Sequence, residues 1–205
     1  MKYVKRVIID SDFIQKILST DSKNNERAKQ SFLNIMKDLD IQPVIHKLLL
    51  DKELMGNILI SDMVNDNKIG VITLGDITSN YNEKRDYEQN FLMLYKEMNG
   101  KDFTDEDIFS YWKSDLNLGE IHSAIAASLT GMDLMLSDDK AAKKVISTRL
   151  VTRRHPLTIK NILEVIEDIG NKETDDTITT WKVAKSIVKA LYPNHCERMY
   201  SIWHQ

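Results

Sequence analysis

The chain has 205 residues, 42% hydrophobic and 29% charged, which is material for one domain, or one domain with an appendage. Its formal net charge of −3 excludes a general affinity for nucleic acid or anionic membrane, so any nucleic-acid site must come from uneven charge. Seven glycines and three prolines are about half the usual complement, which argues against a many-turned β-sandwich, and the single Cys196 excludes internal disulfides and cysteine zinc sites and points to a reduced cytoplasm.

In chain order, MKYVKRVIIDSDF opens with basic residues, but Asp10 and Asp12 cut its apolar run too short for a signal peptide. Residues 4–9 (VKRVII) predict a buried strand ended by Asp10 and Ser11. Ser11 or Asp12 is expected to cap a short helix carrying Ile14, Ile17 and Leu18. The polar stretch Thr20–Asn25 reads as a loop. Residues 26–39 predict an amphipathic helix with Ala28, Phe32, Met36 and Leu39 on one face. Pro43–Ile45 reads as a second strand, followed by a helix through Leu48, Leu49 and Leu54. Residues 68–74 suit an edge strand. Residues 83–99 predict a helix striped by Tyr87, Phe91, Leu94 and Met98. The acidic stretch 100–117 contains a helical piece at Ile108–Trp112.

Leu118–Thr130 predicts a helix ended by Gly131. Leu134–Leu136 is a short strand that runs into Ser137, Asp138 and Asp139, and a helix follows over Lys140–Ser147. After a turn at His155-Pro156 comes a strand near Leu157–Ile159. Asn161 then caps a helix to Ile169, stopped by Gly170. Thr177–Tyr192 predicts an amphipathic helix with Trp181, Ala184, Val188 and Leu191 aligned, a stripe best buried on its own domain. Short strands alternating with helices predict an α/β fold. It would have a short, mostly parallel central sheet flanked by helices, and a C-terminal helical extension. No apolar run approaches the ~20 residues that span a bilayer.

Two predicted strands end in carboxylates, Asp10 and Asp12 after the first and Asp138 and Asp139 after the fourth. Glu120 opens the Leu118–Thr130 helix, and Glu53 lies beside Asp51 on the helix after Pro43–Ile45. In a parallel sheet these acids gather on one rim, where sites form. Clustered carboxylates repel by about 1 kcal/mol or more per close pair, and a divalent cation compensates them. All-oxygen ligands suit Mg²⁺ or Mn²⁺. Solvated caps are the plainer explanation of the same acids. Glu120 and His122 are about 200° apart on a helix, which turns His122 away from such a site.

Residues 118–145, LGEIHSAIAASLTGMDLMLSDDKAAKKV, resemble the second half of a PIN domain: a Gly-Glu pair opening an Ala-rich helix, an aliphatic strand, a Ser-Asp-Asp strand end and an Ala/basic helix. VIIDSDFIQKIL is similar to that family's first strand, and PVIHKLLLDKEL, more weakly, to the segment ending in its second acid. The resemblance implies a PIN-like nuclease domain over 1–170, with 61–114 as an unmatched helical insert and 171–205 as the extension. It implies a metal-dependent endoribonuclease holding Mg²⁺ or Mn²⁺ through Asp10, Glu53, Glu120, Asp138 and Asp139, with Asp10, Glu120 and Asp139 catalytic. Asp51 competes with Glu53, and Asp12 is a helper or a cap. The family includes toxins, so an antitoxin-like partner and a homodimer are further implied partners, although the chain is long for a minimal toxin.

Lys140, Lys143, Lys144, Arg149, Arg153 and Arg154 lie in a stretch without acids that directly follows the strand-end aspartates. Such a block can bind RNA phosphates in a net-acidic protein; a solvated basic face is the bland alternative. A catalytically idle PIN-like RNA- or protein-binding module and an aspartate-based phosphohydrolase are the competing functions. Retention of all the acids speaks against the first. The second would use Asp10-x-Asp12, but lacks convincingly spaced lysine and Ser/Thr motifs.

Overall fold

A computed structural model describes residues 5–21, 24–104, 107–110, 112–113, 116–150, 156–172 and 177–203. Five short strands form one sheet: β1 (Lys5–Ile9), β2 (Ile41–His46), β3 (Gly70–Ile72), β4 (Leu134–Leu136) and β5 (Thr158–Lys160). Their order is β3-β2-β1-β4-β5 and every pairing is parallel. This is the α/β class expected from the alternation of short apolar runs and helices, and each strand falls on a predicted one. Pro43 is tolerated inside β2 because β3 begins to pair only at Val44, so the missing N–H falls where β2 has a neighbour on one side only.

The helices are α1 (Ser11–Ser19), α2 (Asn25–Asp38), α3 (Lys47–Lys52), α4 (Ile58–Asn65), α5 (Leu74–Ile77), α6 (Tyr81–Asn99), α7 (Leu118–Thr130), α8 (Lys140–Arg149), α9 (Ile162–Asn171), α10 (Trp181–Leu191) and α11 (Cys196–Trp203). Of these, α4, α5 and α11 were not expected. Residues 108–110 make a turn, where a helical piece was predicted over Ile108–Trp112; Tyr111 lies outside the described residues.

Alternate strand residues face opposite sides of the sheet, and both sides are apolar, as a parallel sheet requires. Val7, Ile9, Ile45 and Leu136 join one core with residues of α1, α2, α9, α10 and α11. Ile8, Val44, Met135 and Ile159 join a second core with residues of α6, α7 and α8. Helix α7 is buried along nearly its whole length, which explains why small and apolar residues occur all round it. The segment 61–114 is integral to this plan. It supplies β3, and through Tyr87, Phe91 and Leu94 of α6 it covers the outer side of α7. The tail packs on its own chain, with Ala184, Ile187, Val188, Met199 and Trp203 completing the first core.

The strand order creates the site. From β1 the chain leaves through α1 on one face toward β2, while from β4 it leaves through α8 on the other face toward β5. Neighbouring strands whose connections depart to opposite faces leave a crevice at their carboxyl ends. Among the described residues no helix is long and apolar enough to cross a membrane.

Candidate active site

Asp10 and the Ser137–Asp139 segment stand on either side of that crevice. The Asp10 N–H donates to the Leu136 carbonyl at 2.9 Å, tying the two strand ends together. Asp10, rather than Ser11 or Asp12, occupies the cap position of α1, yet its side chain makes no capping bond. The residue is 1% exposed. Oδ2 accepts from Ser137 Oγ at 3.2 Å, and buried Oδ1 has no hydrogen-bond partner. Burial above all, then the charges of Glu120 and Glu53, hold this carboxyl well above the usual aspartate range.

Glu53 closes α3 and reaches back to α1, where Ser11 Oγ donates to its Oε2. Its carboxylate lies directly over Gly119: a Cβ there would stand 2.8 Å from Oε1. The Gly-Glu pair at the start of α7 thus has a steric reason, since any larger residue at 119 would displace the acid. Burial raises the Glu53 pKa, with Asp12 adding to the shift and the Ser11 bond opposing it. Glu120, in the first turn of α7, is pushed up to about 7 by burial and by the charges of Glu53, Asp139 and Asp12, against a backbone hydrogen bond. Asn117, which precedes α7 with a left-handed φ of 50°, is held by Asn99 through a side-chain bond of 3.2 Å.

Asp139 caps α8, its Oδ1 accepting from the N–H groups of Ala141 (2.6 Å) and Ala142 (2.9 Å). Asp10 feels the charges of Glu120, Glu53 and Asp12, and Glu120 those of Glu53, Asp139 and Asp12, so these acids form one electrostatically linked set. Asp51 is different: it pairs with Lys47 on the exposed side of α3. Asp138 also has partners of its own. Lys16 Nζ lies 2.9 Å from its Oδ2 and 2.7 Å from Asp12 Oδ2, and the Tyr192 hydroxyl donates to its Oδ1.

Among the described residues, no three of the His, Cys, Asp and Glu side chains stand close enough to hold a metal ion as they are oriented. The donor set nevertheless suits a hard divalent cation: it is all oxygen, mutually repulsive, and includes a buried carboxylate oxygen with nothing to bond.

Of the basic block, Lys143 is paired with Glu164 and Arg149 with Glu97 at 2.6 Å, so both are partly neutralised. Lys140 and Lys144 make no ion pair among the described residues, while Arg153, Arg154 and His155 lie outside them. His122 is buried toward α6, its Nδ1 2.5 Å from the Tyr87 hydroxyl and its ring stacked on that of His46 at 5.7 Å. Burial lowers both histidines, His46 to about 4 and His122 to about 3, so the pair is neutral core. An open groove of about 690 Å³, lined by Met36, Ile41, Lys68 and Ile178, lies at the amino end of β2, on the opposite rim from the acids.

Sequence reasoning noted Gly119 and Ser137 only as parts of the Gly-Glu and Ser-Asp-Asp motifs, missed Lys16 and Tyr192 as site residues, and saw in Ser11 only a cap. For Ser11 and Ser137 a signal existed, since each directly adjoins a strand-end acid. For Tyr192 there was none. No family model, curated protein or solved structure matches the chain.

Proposed function

We propose that the protein is a divalent-metal-dependent ribonuclease. The observation that carries this reading is Asp10, a fully buried carboxylate with an unpartnered oxygen, facing the charges of Glu53 and Glu120 at the crevice between β1 and β4. Left alone such a buried carboxyl takes up a proton, which is why its pKa is raised; a bound divalent cation would instead hold it as the carboxylate. Asp10, Glu53, Glu120 and Asp139 would hold Mg²⁺ or Mn²⁺, which when bound would activate a water and stabilise the leaving oxygen of a phosphodiester. Ser137 and Ser11 orient Asp10 and Glu53, and Gly119 leaves room for the Glu53 carboxylate. Lys140 and Lys144, in the first two turns of α8 just past Asp139, can meet substrate phosphates. The resemblance of residues 118–145 to a PIN domain supports the same reading.

The test is cleavage of a single-stranded RNA in Mg²⁺ or Mn²⁺, by wild type and by Asp10→Asn. Wild type should cleave and the variant should lose activity by at least 100-fold, with its fold intact by circular dichroism. Equal rates would refute the assignment. A phosphate monoester assayed in parallel separates this reading from aspartate-based phosphohydrolysis, in which Asp10 would be the nucleophile.

A further inference from the structure

Asp138 poses a question that the site itself does not answer. It sits between Ser137 and Asp139 at the end of β4, where a second adjacent acid would be an obvious ligand. Its side chain is only 11% exposed, so its charge must be met from within. Both oxygens are engaged. Lys16 of α1 binds Oδ2, and Tyr192, the residue that closes α10, donates to Oδ1, with the Ile162 N–H a more distant donor at 3.5 Å. Lys16 simultaneously holds Asp12, so one ammonium sits between two acids at the mouth of the crevice. Burial and the neighbouring Asp138 both raise the Tyr192 pKa, so its hydroxyl keeps its proton and remains a donor.

We infer that Lys16 and Tyr192 are positioning residues that hold Asp138 away from the metal-binding acids, so that the C-terminal helices set how many carboxylates the site presents. The inference rests on the metal-site reading above and adds a residue set to it. Two consequences follow from the geometry. Lys16 pairs with Asp12, whose charge acts on Asp10, Glu53 and Glu120, so its positive charge stands beside that acid set and Coulomb repulsion would weaken cation binding there. Tyr192 reaches the rim from a tail packed on the first core, so loosening the tail removes one of the two side-chain holds on Asp138 even when the sheet is intact.

The experiment measures Mn²⁺ affinity directly, by electron paramagnetic resonance of the free ion, on the full chain. Tyr192→Phe keeps the ring in the core and removes only the hydroxyl. It should bind Mn²⁺ several-fold more tightly, because Asp138 can then turn toward the cluster. Lys16→Met should do the same, whereas Lys16→Arg, which keeps the charge, should stay within about twofold of wild type. Asp138→Asn should change the wild-type affinity by less than about threefold, yet abolish the gain in the Tyr192→Phe background. A merely structural role for Tyr192 would move the melting temperature but not this pattern.

If Asp138→Asn weakens Mn²⁺ binding as much as Asp10→Asn does, Asp138 is an ordinary ligand and the inference is overturned while the metal site stands. Unchanged affinity in both Tyr192→Phe and Lys16→Met also overturns it. If the wild type binds no Mn²⁺, the metal reading fails and the inference with it.

Discussion

Gly119→Ala should separate folding from function. Gly119 lies in the first turn of α7 in ordinary helical conformation, so alanine is acceptable to the backbone and favours the helix by up to about 1 kcal/mol. The added Cβ, however, would stand 2.8 Å from Glu53 Oε1 and 3.3 Å from Cδ, where ordinary contact begins at 3.4 Å. The carboxylate must therefore retreat by roughly 0.6 Å, the difference between 3.4 and 2.8 Å. It cannot retreat freely, because Ser11 Oγ holds its other oxygen. Displacements approaching 1 Å at a reacting centre cost up to about 100-fold in rate, so a 10- to 100-fold loss of metal-dependent cleavage is expected. Stability should stay level or rise, because the clash is relieved by a side chain at the protein surface of the crevice rather than by the core. Thermal unfolding and RNA cleavage at varied Mn²⁺ measure the two effects separately. A variant that cleaves at the wild-type rate with the wild-type metal dependence would refute the claim that Glu53 belongs to the site.

Glu120 is pushed from its ordinary 4.5 up to about 7 in the folded state, so between these values the folded chain carries a proton that the unfolded chain has released. The contribution of Glu120 to stability without added metal should therefore fall as pH rises from about 4.5 to 7, and the difference between wild type and Glu120→Gln in urea titrations should trace it, because the opposite slope from buried His46 and His122 is common to both proteins. Asp139→Asn keeps a good helix cap while removing the charge, so it should unfold near the wild-type temperature but lose activity; Asp139→Ala should in addition cost about 1 kcal/mol of stability. Gly170→Ala would put a Cβ 2.4 Å from Trp203 Nε1, and expelling that buried ring from the first core should cost about 1–3 kcal/mol. An unchanged melting temperature would show that α11 does not pack there.

The local pattern of residues was sufficient for every strand and for the long helices. VKRVII, PVI, KIGVITL, LML and the run near Ile159 each combine apolar or β-branched residues with polar or glycine boundaries, and side-chain periodicity is a property of neighbouring residues alone. The same locality made Asp10, Glu120 and Asp139 visible as acids at strand ends and a helix start. It failed for α5, which has four residues, and for α4 and α11, with eight each, because so short a segment carries little periodic signal. Only tertiary structure placed β1 beside β4: a parallel strand buried on both faces reads as uniformly apolar, and nothing in it names its neighbour. The pairing of β1 with β4 brought Lys16 to Asp138 across 122 residues, that of β1 with β2 brought Ser11 to Glu53 across 42, and the packing of the tail brought Tyr192 to Asp138 across 54. Which carboxylates stay unpaired and which are already answered by a lysine or a hydroxyl is therefore decided by packing, because a hydrogen bond depends on the distance between two atoms and not on their separation along the chain.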